Sequence, residues 1–290
     1  MVFFIVGRKS HVTLVAAALA ILLLLAGAAA CVSRSYSMPA QAGGRQVPIY
    51  CVARDDRAIA VTVDATWGAD RTVELLNLFD DEGIKVTFFL AGHWITEYPL
   101  MVKEIAARGH ELGNHSWTHP NMGSLSEQRI IEELDRTQIA IEQLTSSRPK
   151  VFRPPFGDYS NRLITVAFQC GLNTIQWSVD SLDWKNLTAD QIVDRVVTRV
   201  KPGAIILFHN AALHTPEALA RIIPSLRQSG YTMVTVSDLL LQGQTYVDKN
   251  TGEQRRVEVH GSGQREQPQL QGCSDDEQLG MRWGVPRCFL

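Results

Sequence analysis

Between residues 58 and 241, short apolar runs alternate with longer amphipathic ones. The runs at 59–63, 86–90, 151–153, 174–177, 204–208 and 232–236 are too short for helices and read as buried strands. Between them, apolar positions recur at helical spacing. Val73, Leu76 and Phe79 mark a helix over 72–81, and Ile130, Leu134, Ile141 and Leu144 mark another over 127–144. Ser124 with Glu127, and Thr188 with Gln191 ahead of 192–200, form the Ser/Thr-x-x-Glu/Gln pattern that caps a helix start. Strand–helix alternation predicts an α/β fold with a parallel sheet, open or closed into a barrel, and a barrel would gather its chemistry at the C-terminal ends of the strands.

The flanks are patterned differently. Residues 12–30 form an uncharged apolar run behind Arg8, Lys9 and His11, and about 19 apolar residues are just enough to span a bilayer. A cleaved signal, a retained anchor and lipidation at Cys31, which comes directly after Ala28-Ala29-Ala30, all remain open. The basic residues ahead of the run favour export of the chain beyond residue 30, so the expected location is membrane-anchored or secreted, outside the cytoplasm. The expected organisation is an anchor or signal over 1–35, a linker over 36–57, a domain over 58–241 and a polar, disordered tail over 242–290. Within the tail, Cys273 and Cys288 are able to close a loop in an oxidising compartment. Cys170, at helical spacing from Val166 and Ala167, reads as a buried structural thiol.

Composition narrows the classes. The 290 residues carry 28 Lys and Arg against 30 Asp and Glu, a net charge of -2, which argues against a nucleic-acid partner. With 45% hydrophobic and 20% charged residues the chain is globular rather than disordered as a whole. Oligomeric state is not legible.

The ionisable residues fall where strands end. Asp64 comes after 59–63, His115 after a short stretch at 111–114, Arg153 closes 151–153, Asp180 and Asp183 come after the run through Trp177, and His209 after 205–208. A random soluble fold would scatter such groups, so their convergence marks an active site. In His115-Ser116-Trp117-Thr118-His119 the two imidazoles stand four apart, a spacing that lets both reach one metal if the turn is helical, with zinc the natural guess. Ser116 stands where a His-Glu-x-x-His protease carries its general base. A third ligand is normal at catalytic zinc, and Asp64 and Asp70 are the carboxylates at hand. A metal, a carboxylate base and an imidazolium acid suit hydrolysis of an amide or ester. Neither a Gly-x-Ser-x-Gly elbow nor a Gly-rich phosphate loop is present.

These residues resemble the polysaccharide deacetylases, carbohydrate esterase family four, also called the NodB-homology domain. The resemblance runs over about 58–241 through five motifs in order: Thr62-Val63-Asp64-Ala65-Thr66-Trp67-Gly68, His115 to His119, Arg153-Pro154-Pro155-Phe156-Gly157, Asp180-Ser181-Leu182-Asp183-Trp184, and Leu207-Phe208-His209. The Asp-x-x-Trp-Gly-x-Asp form of the first is similar to the sporulation-associated bacterial branch.

The resemblance implies a distorted (β/α) barrel that removes acetyl groups from amino-sugar units of a polymer such as peptidoglycan or chitin. It implies Asp64 as general base, His209 as general acid tuned through Asp183, and Arg153 orienting Asp64. It implies His115 and His119 as ligands of a divalent metal, zinc first, with cobalt, nickel and manganese also compatible. The Phe156 N–H would help to hold the oxyanion, Trp184 and Leu207 would line an acetyl pocket, and Asp180 would complete the substrate site. One departure stands out: the family's second aspartate, a metal ligand, is Ala65 here. Asp70 is then the expected replacement, with Asp64 itself as ligand, or weak metal binding, as the alternatives. A carbohydrate-binding protein with weak catalysis, and an esterase of O-acetyl groups such as those of xylan, are the rival readings.

Overall fold

A computed structural model describes residues 44–257. The expectations for 12–30, Cys31, Cys273 and Cys288 lie outside the described residues, as does most of the predicted tail. Among the described residues no helix is long and apolar enough to cross a membrane.

The strands are β1 (Cys51–Val52), β2 (Ala58–Ala65), β3 (Thr87–Leu90), β4 (Glu111–Asn114), β5 (Val151–Phe152), β6 (Asn173–Thr174), β7 (Val179–Asp180), β8 (Ile205–His209), β9 (Thr232–Val234), β10 (Thr245–Val247) and β11 (Glu253–Arg256). The helices are α1 (Thr72–Asp81), α2 (Gly92–Glu97), α3 (Pro99–Ala107), α4 (Glu127–Thr145), α5 (Asn161–Gln169), α6 (Ala189–Val197), α7 (Thr215–Gln228) and α8 (Val236–Leu239). The larger sheet runs β6-β5-β4-β3-β2-β8-β7, with β9 paired to the first residues of β2. All its pairings are parallel. The terminal strands β6 and β7 do not pair with each other, so the sheet curls without closing, which is the distorted (β/α) barrel.

Every residue of β2 is buried, and its alternation sorts two layers. Val61, Val63 and Ala65 pack outward with Leu76 and Phe79 of α1, Trp94, Ile192 and Leu219. Ala58 and Ala60 pack inward with Phe89, Val151 and Ile205. Each fully buried aliphatic or Phe side chain is worth about 1.5–3 kcal/mol relative to exposure. A one-residue slip would drive Asp64 beneath the helices, so this layering fixes the register that carries the site.

Helix starts obey the local chemistry. Thr188 caps α6 through a full capping box with Gln191. At α4 the cap is Ser126, whose side chain accepts from Arg129 N–H, two residues beyond the Ser124 expected from the motif.

The domain limits are wider than the sequence pattern drew them. Residues 44–57 are no linker: Ile49 and Val52 belong to the inner cluster, and β1 pairs in parallel with β11. Residues 242–257 are no disordered tail, since β10 and β11 pair antiparallel and complete a three-stranded sheet with β1. Strands of two to four residues are too short to show a period.

Candidate active site

Asp64 leaves β2 on the inner side, across from His209 on β8. Arg153, fully buried, donates from one guanidinium nitrogen to Asp64 Oδ1 at 2.7 Å and to Thr62 Oγ1 at 2.8 Å, and from the other to Gln176 O at 3.1 Å. Its guanidinium also lies 4.2 Å from the centre of the Phe89 ring. Burial works against the Asp64 charge, but Arg153 and the nearby imidazoles outweigh it and hold the carboxyl below its ordinary range.

His115 Nδ1 is 2.7 Å from Arg153 O. A carbonyl only accepts, so Nδ1 carries the proton and Nε2 presents a lone pair. That lone pair stands 3.2 Å from His119 Nε2 and 3.6 Å from Asp64 Oδ2. Burial lowers both imidazoles, His119 to about 3, keeping them neutral as metal ligands must be.

The turn that brings the two histidines together is not the helical one the spacing suggested. Ser116 and His119 both have positive φ, 64° and 57°, conformations that favour glycine and need outside support. Asn114 accepts from Ser116 N–H, Ser116 Oγ from His119 N–H, and Glu133 Oε2 from Trp117 N–H and Thr118 N–H at 2.8 and 2.7 Å. Sequence reasoning missed Glu133, although a carboxylate one place before Leu134 in the apolar stripe of α4 was a readable signal.

The second half of the site is His209 with Asp183. His209 Nδ1 donates to Asp183 Oδ1 at 2.7 Å, while His209 N–H and Thr215 Oγ1 donate to Asp183 Oδ2 at 2.8 and 2.6 Å. Burial opposes the imidazolium, but the bond to Asp183 outweighs it and raises His209 above its ordinary value. Asp64 and His209 together face a cleft of about 290 Å³ lined also by Thr66, Trp67, Trp184 and Leu213. Leu207 is buried, Phe156 and Trp184 are largely exposed, and Asp180 Oδ1 accepts from Leu182 N–H to shape the loop ahead of Asp183.

Asp70 does not join the histidines. The backbone turns away at Gly68, whose carbonyl accepts from Trp94 Nε1 at 2.6 Å and Asn210 Nδ2 at 2.8 Å, and leaves Asp70 exposed. Cys170, expected to be buried, is only half-buried at the end of α5.

A family model described as polysaccharide deacetylase matches residues 52–175. A peptidoglycan-N-acetylglucosamine deacetylase of Bacillus cereus is 32% identical over 185 residues, covering 62% of this chain and 67% of that protein. The crystal structure of BA3943, a CE4 family pseudoenzyme from Bacillus anthracis, is 34% identical with a TM-score of 0.64, covering 67% of this chain and 68% of that one. The chain belongs to the polysaccharide deacetylase family. A BA3943 mutant with restored enzymatic activity matches with a TM-score of 0.65 at 35% identity, covering 67% of this chain and 71% of that one. The Bacillus subtilis protein YlxY is 35% identical over 193 residues, 67% of this chain but 60% of that relative, so the chain spans less than two thirds of its length.

For a polysaccharide deacetylase the donor set is short. Two neutral imidazoles 3.2 Å apart suit adjacent ligands of one ion, since nitrogens each about 2.0–2.1 Å from a tetrahedral metal stand a little over 3 Å apart. Among the described residues, however, no three His, Cys, Asp or Glu side chains are grouped to hold a metal. Ala65, at the position of the family's second aspartate, is fully buried in the outer cluster. His115 and His119 therefore fit a metal, and among the described residues no third ligand is grouped with them.

Proposed function

We propose that this domain hydrolyses the N-acetyl groups of amino-sugar units in a peptidoglycan-like polymer. The observation that carries the reading is the pair of oppositely tuned groups at one cleft, Asp64 bonded to Arg153 and held below its ordinary range, and His209 bonded to Asp183 and raised above its own. Asp64 takes the proton of the attacking water, and Arg153 fixes the carboxylate through Oδ1. His209, with Nδ1 engaged by Asp183, delivers the proton on Nε2 to the departing amine. His115 and His119 would hold a divalent metal, zinc first, which would polarise the acetyl carbonyl and acidify the attacking water. Phe156 N–H donates to the oxyanion, Trp184 and Leu207 receive the methyl group, and Asp180 shapes the substrate loop. With a polymer of the cell wall as substrate, the domain works outside the cytoplasm, delivered or held there by the apolar segment at 12–30.

A second reading is favoured by Ala65 and by the likeness to a pseudoenzyme: a carbohydrate-binding protein with little turnover. Acetate release from N-acetylglucosamine oligomers and peptidoglycan, measured with added zinc and with chelator, separates the two. Release that vanishes with chelator and in Asp64→Asn supports the hydrolase. Oligomer binding without release under any metal overturns it in favour of the binding protein.

A further inference from the structure

The cleft has one wall to which the chemistry above gives no part. Trp67 lies on it, 67% exposed, yet the backbone on both sides of it is pinned. His93 Nε2 donates to Thr66 O at 2.8 Å, and Trp94 Nε1 and Asn210 Nδ2, both from buried residues, donate to Gly68 O. The His93 ring also rests against the indole, centroids 4.8 Å apart and planes tilted by 37°. Three side chains thus hold rigid a loop whose one large side chain is offered to solvent.

Trp67 is not alone. Trp184 and Leu213, 56% and 54% exposed, line the same cleft. On its own side the aromatic row continues through His119, 6.1 Å away, to Phe156, 4.5 Å further on and held with φ at 60°. Single exposed apolar residues are ordinary on a protein surface, but three of them, one on a pinned loop, around one cleft that also holds Asp64 and His209 mark a ligand site. The ligand must be flat on one face and apolar there, with a polar rim. A pyranose ring has that character: its axial C–H bonds pack on an aromatic face while the hydroxyls stay at the edge.

We propose that Trp67 is a stacking platform for an amino-sugar ring neighbouring the unit held over Asp64 and His209, and so a determinant of preference for oligomers over single sugars. The proposal rests on the carbohydrate reading above and deepens it. His93 acts through Trp67 as a positioning residue, and Trp67 itself handles no proton.

The test is binding of N-acetylglucosamine and its tetramer to the full chain by titration calorimetry, with acetate release measured separately. The wild type binds the tetramer more tightly than the monomer. Trp67→Ala and Trp67→Leu weaken tetramer binding at least tenfold with little change for the monomer, and Trp67→Phe keeps most of the affinity. Where acetate is released, Trp67→Leu raises KM for the tetramer and leaves kcat within about twofold. Tetramer binding by Trp67→Leu equal to that of Trp67→Phe overturns the platform, because bulk and not an aromatic face would then suffice. Absence of tetramer binding by the wild type overturns it as well. Loss of acetate release with tetramer binding intact removes only the hydrolase reading and leaves the platform supported.

Discussion

Removing Arg153 is the sharpest perturbation of this site. Arg153→Met keeps length and apolar bulk but deletes the 2.7 Å ion pair to Asp64, the bond to Thr62 Oγ1 and the bond to Gln176 O. Asp64 is 5% exposed, so its charge then lies buried with no cation in contact. Breaking a buried pair by removing one partner costs about 3–5 kcal/mol, far above the return from an exposed pair. With a urea m-value of about 2–3 kcal/mol/M, the unfolding midpoint falls by about 1–2 M. Asp64→Asn added to Arg153→Met removes the orphaned charge and recovers about 2 kcal/mol or more, a coupling that a double-mutant cycle reads directly. The pH dependence has a fixed sign. Asp64 is depressed in the wild type, so the pair's stabilisation is present above the carboxyl's unfolded value and lost as pH falls through the folded one. The gap between wild type and Arg153→Met therefore narrows in acid. A loss below about 1 kcal/mol at neutral pH, or no recovery from Asp64→Asn, would refute the claim that this ion pair organises the floor of the cleft.

Other expectations rest on separate contacts. Asp183→Asn removes the partner that raises His209, so the basic limb of the acetate-release profile moves to lower pH and kcat falls by about 10²-fold or more, read from a pH–rate series. His110, pressed by burial to about 4, contributes stability that is present above its unfolded value near 6.5 and lost as pH falls through 4, about 3 kcal/mol in all. His110→Asn flattens that part of the stability curve, measured by urea titration at pH 7 and pH 4.5, and an unchanged slope would count against His110. Glu133→Ala leaves Trp117 and Thr118 N–H without their acceptor, costs about 2–4 kcal/mol, and weakens zinc binding by loosening the His115 to His119 turn; calorimetric zinc titration checks it. Ala65→Asp buries a carboxylate in the outer cluster, so stability falls without metal; a turn of this last β2 residue toward the histidines would recover stability with zinc and raise its affinity at least tenfold, and unchanged affinity would mean that the side chain at 65 stays outward.

The strand ends that the sequence pattern marked come together around one cleft, and the physical reason is local. An apolar run ending in one ionisable residue keeps its meaning in any parallel sheet, so Asp64, His115, Arg153 and His209 were legible before their partners were known. Asp70 was misread because its direction is set by Trp94 and Asn210, which lie far along the chain and hold Gly68 O. The Ser124 pattern failed for a smaller reason, since Ser126 is equally able to cap and the turn ahead of α4 chooses between them. Residues 44–57 and 242–257 looked like linker and tail because their short strands gain structure from distant partners, β1 from β11 and Ile49 from Ile175. Thr62 and Gln176 were invisible as partners of Arg153, since nothing in a threonine hydroxyl or a main-chain carbonyl signals that a buried guanidinium will rest against it.

That mutual dependence of β1 and β11 sets an order of events in the life of the chain. Cys51 pairs with Glu253, about 200 residues later, and Ile49 and Val52 close the inner layer beside strands that are made between them. Such distant pairing is slow and comes late in folding. A chain emerging from the ribosome therefore cannot complete this three-stranded sheet until β11 has emerged too, however early the strands of the curled sheet are in place. A fragment begun at residue 58 or stopped at 241 lacks one partner for good.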